Sequence, residues 1–125
     1  MVNKILLVDD DDATNYLARE ILIDMDAARE IVVVQDGDAA CDLIQQNNCP
    51  DIIFLDVRMP RMSGFDFLNK LRKMEVCKKC KIVLLTSSSR MEDREKALQY
   101  DNVLDYLEKP LTWQTAKKVI EEYFR

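Results

Sequence analysis

The sequence predicts one α/β domain, a doubly wound five-stranded parallel sheet with helices on both faces. Three observations predict it. Short apolar runs such as Ile5-Leu6-Leu7-Val8, Ile52-Ile53-Phe54-Leu55 and Ile82-Val83-Leu84-Leu85 alternate with segments of helical apolar spacing, the pattern of strands buried on both faces between crossover helices. The runs end on polar residues: Asp9 and Asp10 after the first, then Asp56, Thr86 and, after Val103 to Glu108, Lys109. Ligands of such sheets bind beyond the carboxyl ends of the strands, so these residues are expected to meet in one site. Finally, 125 residues of which 48% are hydrophobic suffice for one core and are too few for two full domains.

Lys4 to Asp9 reads as the first strand. A helix follows from about Ala13 to Met25, with Asp12 as N-cap and Leu17, Ala18, Ile21 and Leu22 on its inner face. Ile31 to Val34 is the second strand. It leads through Asp36-Gly37-Asp38 into a helix with Ala39, Ala40, Leu43 and Ile44 inward, which Asn47-Asn48-Cys49-Pro50 ends. The third strand, Asp51 to Asp56, precedes a loop holding Met59-Pro60 and Ser63-Gly64, then a helix with Phe67, Leu68 and Leu71 at helical spacing. Lys81 to Thr86 is the fourth strand, followed by the loop Ser87-Ser88-Ser89. The next helix, about Met91 to Tyr100, is more charged, and its thin stripe of Met91, Ala97 and Leu98 predicts weak anchoring. Val103 to Glu108, the fifth strand, turns at Lys109-Pro110 into a last helix with Trp113, Ala116, Ile120 and Tyr123 or Phe124 inward. The expected strand order is the flavodoxin-like 2-1-3-4-5.

Composition narrows the function. The chain has 23 acidic and 18 basic residues, a net charge of −5 and no basic block, which disfavours non-specific nucleic-acid binding and suits a protein or metal partner. No stretch approaches the ~20 apolar residues of a membrane span, and the N-terminus lacks the features of a signal peptide. A cytoplasmic protein without membrane insertion is expected. The absence of histidine excludes Ser-His-Asp and Cys-His nucleophile systems and histidine-ligated metals. The four cysteines, at 41, 49, 77 and 80, include the close pair Cys77-Lys78-Lys79-Cys80. A structural zinc site usually needs four ligands, and Cys41 and Cys49 make no second close pair. Reduced thiols on or near the surface are expected.

In the 2-1-3-4-5 order, strands one and three are neighbours, so Asp9, Asp10 and Asp56 should converge. Clustered carboxylates repel unless a cation intervenes. Magnesium suits them, because it takes oxygen ligands and is typically held by one or two carboxylates with phosphate and water. A favourable start to a helix explains Asp11 and Asp12 but not Asp56, which follows its own buried strand. A carboxylate can attack a phosphoryl group to give an aspartyl phosphate. The remaining work is positioning and charge neutralisation, for which Asp56, Lys109 and Thr86 are the candidate nucleophile, cation and hydroxyl donor.

These residues resemble the receiver domains of two-component response regulators, in particular the single-domain, chemotaxis-type regulators. The resemblance covers essentially all of residues 1–125 and rests on LLVDDD at 6–11, DVRMPRMSG at 56–64, LLTSS at 84–88 and YLEKP at 106–110. It implies a phosphorelay switch rather than an enzyme, one that catalyses only its own phosphorylation and slow dephosphorylation. Asp56 would accept a phosphoryl group from a histidine kinase or histidine phosphotransfer protein. Asp9, Asp10 and Asp56, with the backbone carbonyl of Arg58, would hold Mg2+, Asp10 being the more direct ligand. Thr86 would bond a phosphoryl oxygen and Lys109 would pair with it. Tyr106 occupies the switch-aromatic position, half packed against the fourth helix. The surface of helix four, strand five and helix five would then change to control a downstream target protein, the chain acting as a monomer or weak dimer.

The resemblance also implies a cis bond at Lys109-Pro110, and Gly64 is expected to serve a backbone turn before the third helix that a side chain would hinder. Arg58 and Ser88 would affect phosphate lifetime, Arg58 slowing dephosphorylation relative to asparagine. With Arg125 ending the chain, no DNA-binding or enzymatic output module is expected. Three other readings fit less well. Asp9-x-Asp11 resembles the nucleophile pair of haloacid-dehalogenase-type phosphatases, but no acidic cluster follows Lys109. A flavodoxin-type FMN carrier needs a first loop that welcomes phosphate, and Asp9 to Asp12 would repel it. A phosphorylation-independent scaffold has no need of the complete set of site residues.

Overall fold

The structure, a computed structural model, describes residues 2–87 and 90–123. Ser88 and Phe124 lie outside the described residues. The elements run β1 (Val2–Val8), α1 (Asp12–Asp24), β2 (Ala28–Val34), α2 (Gly37–Gln45), β3 (Ile52–Leu55), α3 (Gly64–Lys73), β4 (Lys81–Thr86), α4 (Met91–Ala97), β5 (Val103–Glu108) and α5 (Trp113–Tyr123). All strand pairs are parallel, in the order β2-β1-β3-β4-β5. This is the expected flavodoxin-like topology. No helix among the described residues is long and apolar enough to cross a membrane.

Side chains alternate across each central strand and build one core on each face. On one face Leu6, Val8, Ile53, Leu55, Ile82 and Leu84 pack with residues of α2, α3 and α4, among them Ile44, Phe67, Leu71 and Ala97. On the other, Ile5, Leu7, Ile52, Phe54, Val83 and Leu85 pack with Ala18 and Leu22 of α1 and Ala116 and Val119 of α5. Residues 5–8, 52–55 and 82–85 of the central strands are all apolar because both of their faces are covered.

Register then sets the site. Val8 pairs with Leu55 and Leu55 with Leu84, so the carboxyl ends of β1, β3 and β4 stand side by side. Asp9 donates its amide to the Val34 carbonyl (3.2 Å), Asp56 to Val8 (3.0 Å) and Lys109 to Thr86 (2.9 Å). Each polar residue beyond a strand is therefore held by its neighbour.

Several local expectations are corrected. The N-cap of α1 is Asp11, not Asp12: its carboxylate accepts from the Ala13 amide at 3.3 Å and the Thr14 hydroxyl at 2.6 Å. Leu17 is exposed, and the buried face of α1 is Asn15, Ala18 and Leu22. β2 begins three residues earlier than expected, because its ladder with β1 extends from Val34 back to Ala28, through Glu30 opposite Lys4. α4 ends at Ala97, which is buried while Met91 and Leu98 are exposed. In α5 Val119 fills the core, whereas Trp113 and Tyr123 are exposed.

The cysteine expectation is also corrected. Cys49 and Cys77 form a disulfide, with Cα atoms 5.3 Å apart, and the two free thiols, Cys41 and Cys80, are buried rather than superficial. The α2–β3 and α3–β4 connections meet below the amino ends of neighbouring strands, a proximity invisible in a sequence separation of 28.

Candidate functional site

Asp9, Asp56 and Thr86 are all but inaccessible, at 4%, 3% and 0% exposure, while Asp10 is exposed. One carboxylate oxygen from each of Asp9, Asp10 and Asp56 lies within 4.8 Å of the others. Lys109 Nζ bridges the buried pair, 2.7 Å from Asp9 Oδ2 and 3.3 Å from Asp56 Oδ2. The Asp56 Oδ1 atom accepts from the Arg58 amide at 3.3 Å, and Asp9 Oδ1 accepts from the Asp11 amide at 2.9 Å. Asp9, Asp10, Asp56 and Lys109 are thus brought together as expected, with Thr86 closing β4 beside them.

Burial pushes the Asp9 carboxyl above its ordinary value, and the charge of Asp56 pushes the same way; Lys109 and the Asp11 amide pull it only part of the way back. Burial acts against the Lys109 ammonium, yet the Asp9 contact and the charge of Asp56 outweigh it and hold this lysine above its ordinary value. Three carboxylates face one ammonium, so the cluster is short of positive charge. A hard divalent cation with oxygen ligands answers that shortage, and this donor set fits Mg2+.

Asn15 was not singled out from the sequence. It is 5% exposed, and its side-chain amide donates to the Asp9 carbonyl at 2.8 Å, fixing the turn that presents Asp9 and Asp10. Its spacing of three and seven residues from Ala18 and Leu22 places it on the inner face of α1, a legible signal. Arg58 extends its guanidinium to Asp93 of α4, at 3.4 Å. Both residues line a groove beside Asp10. Tyr106 is buried at 6% exposure rather than half packed, because it stands opposite Leu84 inside the core that also contains Ala97. The Lys109-Pro110 bond is cis. At Gly64, where α3 begins, a side chain is hindered as expected, and the hindrance is one of space. A Cβ there would stand 2.5 Å from the Asp56 carbonyl oxygen and 2.9 Å from Val57 Cα.

Comparison with known proteins agrees with this fold. The family described as response regulator receiver domain matches residues 5–121. The crystal structure of a two-component response regulator from Cytophaga hutchinsonii is similar, with a TM-score of 0.85 and 30% identity over 97% of this chain and 96% of that one. The chemotaxis protein CheY4 of Vibrio cholerae is similar at a TM-score of 0.82 and 28% identity, over 98% of both chains. The transcriptional regulatory protein CpxR of Escherichia coli (strain K12) is 37% identical over 109 residues, which are 87% of this chain and 44% of that protein.

Proposed function

Since the chain belongs to the family of response regulator receiver domains, phosphorylation-dependent switches of two-component signalling, we propose that residues 1–125 form one such domain with Asp56 as its phosphoryl acceptor. The observation that carries this reading is the convergence of Asp9, Asp10 and Asp56 on one another, with Lys109 bridging the two buried carboxylates. The donor is a phosphohistidine of a histidine kinase or histidine phosphotransfer protein. An Asp56 carboxylate oxygen attacks phosphorus, the P–O bond forms as the P–N bond breaks, and the imidazole departs.

Asp9, Asp10 and Asp56 would hold Mg2+ together with the Arg58 backbone carbonyl. When bound, the ion neutralises charge on the phosphoryl oxygens. Lys109 exchanges part of its contact with Asp56 for a phosphoryl oxygen, and the Thr86 hydroxyl donates to another. Drawing Thr86 toward the phosphoryl group favours the conformation with Tyr106 packed, and so reshapes the surface of α4, β5 and α5 for a downstream target protein. The shift is limited to the differential contacts that the phosphoryl group makes in the favoured state. The Arg58 guanidinium, held out to Asp93 along the groove, hinders attacking water, so Arg58→Asn is expected to lose the phosphoryl group faster than wild type in a decay time course.

Intact-mass analysis after incubation with acetyl phosphate, with and without Mg2+, tests the reading. A single Mg2+-dependent adduct, absent from Asp56→Asn, is expected. An adduct that survives in Asp56→Asn would place the acceptor elsewhere. Folded wild type that takes no adduct from acetyl phosphate or from a phosphohistidine protein would overturn the reading.

A further inference from the structure

The second cluster of reactive side chains lies at the opposite pole of the sheet, below the amino ends of β3 and β4. Cys49, in the α2–β3 connection, is bonded to Cys77, in the α3–β4 connection. The bond joins the two ends of the β3–α3 unit, the segment that carries Asp56, Arg58 and Gly64. We propose that Cys49 and Cys77 are a reversible redox couple, a covalent modification site read by low-molecular-weight thiols and their disulfides.

Accessibility separates the four cysteines into two classes. Cys49 is exposed and Cys77 partly so, and both line an open cleft with Asp51, Glu75, Lys78 and Lys79. Cys41 and Cys80 are buried at 7% and 3% exposure. Burial pushes the Cys41 thiol up and the Cys80 thiol up to about 12, so neither supplies the thiolate that exchange requires. Of the pairings four cysteines allow, only Cys49 with Cys77 is both within bonding distance and reachable from solvent.

Each of the two sulfurs has an oxygen acceptor close by. Cys49 Sγ lies 3.3 Å from Asn47 Oδ1, and Cys77 Sγ lies 3.9 Å from the Ile44 carbonyl oxygen. Each sulfur, once reduced, faces an acceptor for its thiol proton. Cys77 and Asn47 adopt left-handed backbone conformations, φ 56° and 59°, uncommon for non-glycine residues. They aim the two connections at each other.

The exchange balances. The Cys49 thiolate attacks a disulfide RSSR, its S–S bond breaks and RS− leaves, giving a mixed disulfide at Cys49. The Cys77 thiolate then attacks the Cys49 sulfur and expels the second RS−. Two protein thiols have lost two protons and two electrons, and RSSR has become two RSH. Reduction is the reverse.

The full chain equilibrated with graded ratios of reduced to oxidised glutathione, acid-quenched, denatured and alkylated, gives the test. The expected result is paired loss of two alkylation sites as the ratio falls, return of both on reduction, and a cross-linked peptide containing Cys49 and Cys77. Oxidised protein should melt roughly 5–10 °C above reduced protein, because the link closes a long loop in the unfolded chain. Cys77→Ser, checked for native circular dichroism, should lose that shift and stop at a glutathione adduct on Cys49. Four alkylatable cysteines at every ratio, a stable glutathione adduct as the wild-type end state, or a link through Cys41 or Cys80 would each overturn the proposal.

Discussion

A methyl group at Gly64 would have nowhere to go, since both of its nearest neighbours, the Asp56 carbonyl oxygen and Val57 Cα, are backbone and cannot rotate aside. The Gly64 amide also donates to the Val57 carbonyl at 2.8 Å, so the start of α3 rests directly on the segment that presents Asp56. Gly64→Ala is expected to cost about 1–3 kcal/mol, read as a lower urea midpoint with unchanged slope, and to slow acetyl phosphate labelling by displacing Asp56. Cys80 gives a different kind of prediction. Its thiol is pushed from the ordinary 9.0 to about 12 by burial, so the folded chain keeps this proton where the unfolded chain releases it. Stability from this group is complete below pH 9 and is lost as pH rises from 9 toward 12, by up to about 1.4 kcal/mol per unit. Urea titrations between pH 8.5 and 11 should therefore show a steeper alkaline decline for wild type than for Cys80→Ala. Parallel curves would refute the assignment.

At the scale of elements, α3 and α4 form a contrast that the sequence partly disclosed. Ser63 and Asp66 close a capping box at α3, each side chain bonding the other's amide at 3.1 Å, and five residues of that helix are buried. The described α4 has seven residues, no side-chain cap bond from Arg90, and Ala97 as its buried residue. Amides in α4 are expected to exchange with deuterium at least tenfold faster than those in α3, at pH 7 without phosphorylation. Equal protection would deny α4 the role of adjustable surface proposed for it. The charge of α4 was legible because apolar spacing is a property of one segment. The exposure of Met91, Leu98 and Leu17 was not, because it depends on what a crossing helix or strand offers opposite them. The same reason extended β2, whose polar Arg29 and Glu30 form a strand only because β1 supplies the ladder. The runs 5–8, 52–55 and 82–85 were read well since both of their faces are covered and apolar side chains fill them.

The whole molecule gathers its polar residues at one edge of the sheet because every strand points the same way, and for that reason the site was legible while its supports were less so. Asp9, Asp10, Asp56, Thr86 and Lys109 follow from strand order alone. The Arg58 to Asp93 pair and the Cys49 to Cys77 bond do not, because they join connections whose meeting depends on loop paths. This concentration has a consequence for stability. Asp10 adds an exposed negative charge within 4.8 Å of two carboxylates that share one ammonium, so in the absence of a divalent cation the folded chain carries a repulsion that the expanded chain relieves. Asp10→Asn is expected to melt a few degrees higher than wild type in chelator, since it keeps the shape and removes the charge. Mg2+ reverses the order. A ligand that binds only the folded chain stabilises it in proportion to RT ln(1 + [L]/Kd), about 2.7 kcal/mol at one hundred times Kd. Wild type should gain that increment across a Mg2+ titration, while the variant, lacking the carboxylate proposed as the more direct ligand, gains little at the same concentrations. The two melting curves must therefore cross. Parallel gains would remove Asp10 from the cation site. A variant less stable than wild type in chelator would show that the acidic edge is not under the electrostatic load described above.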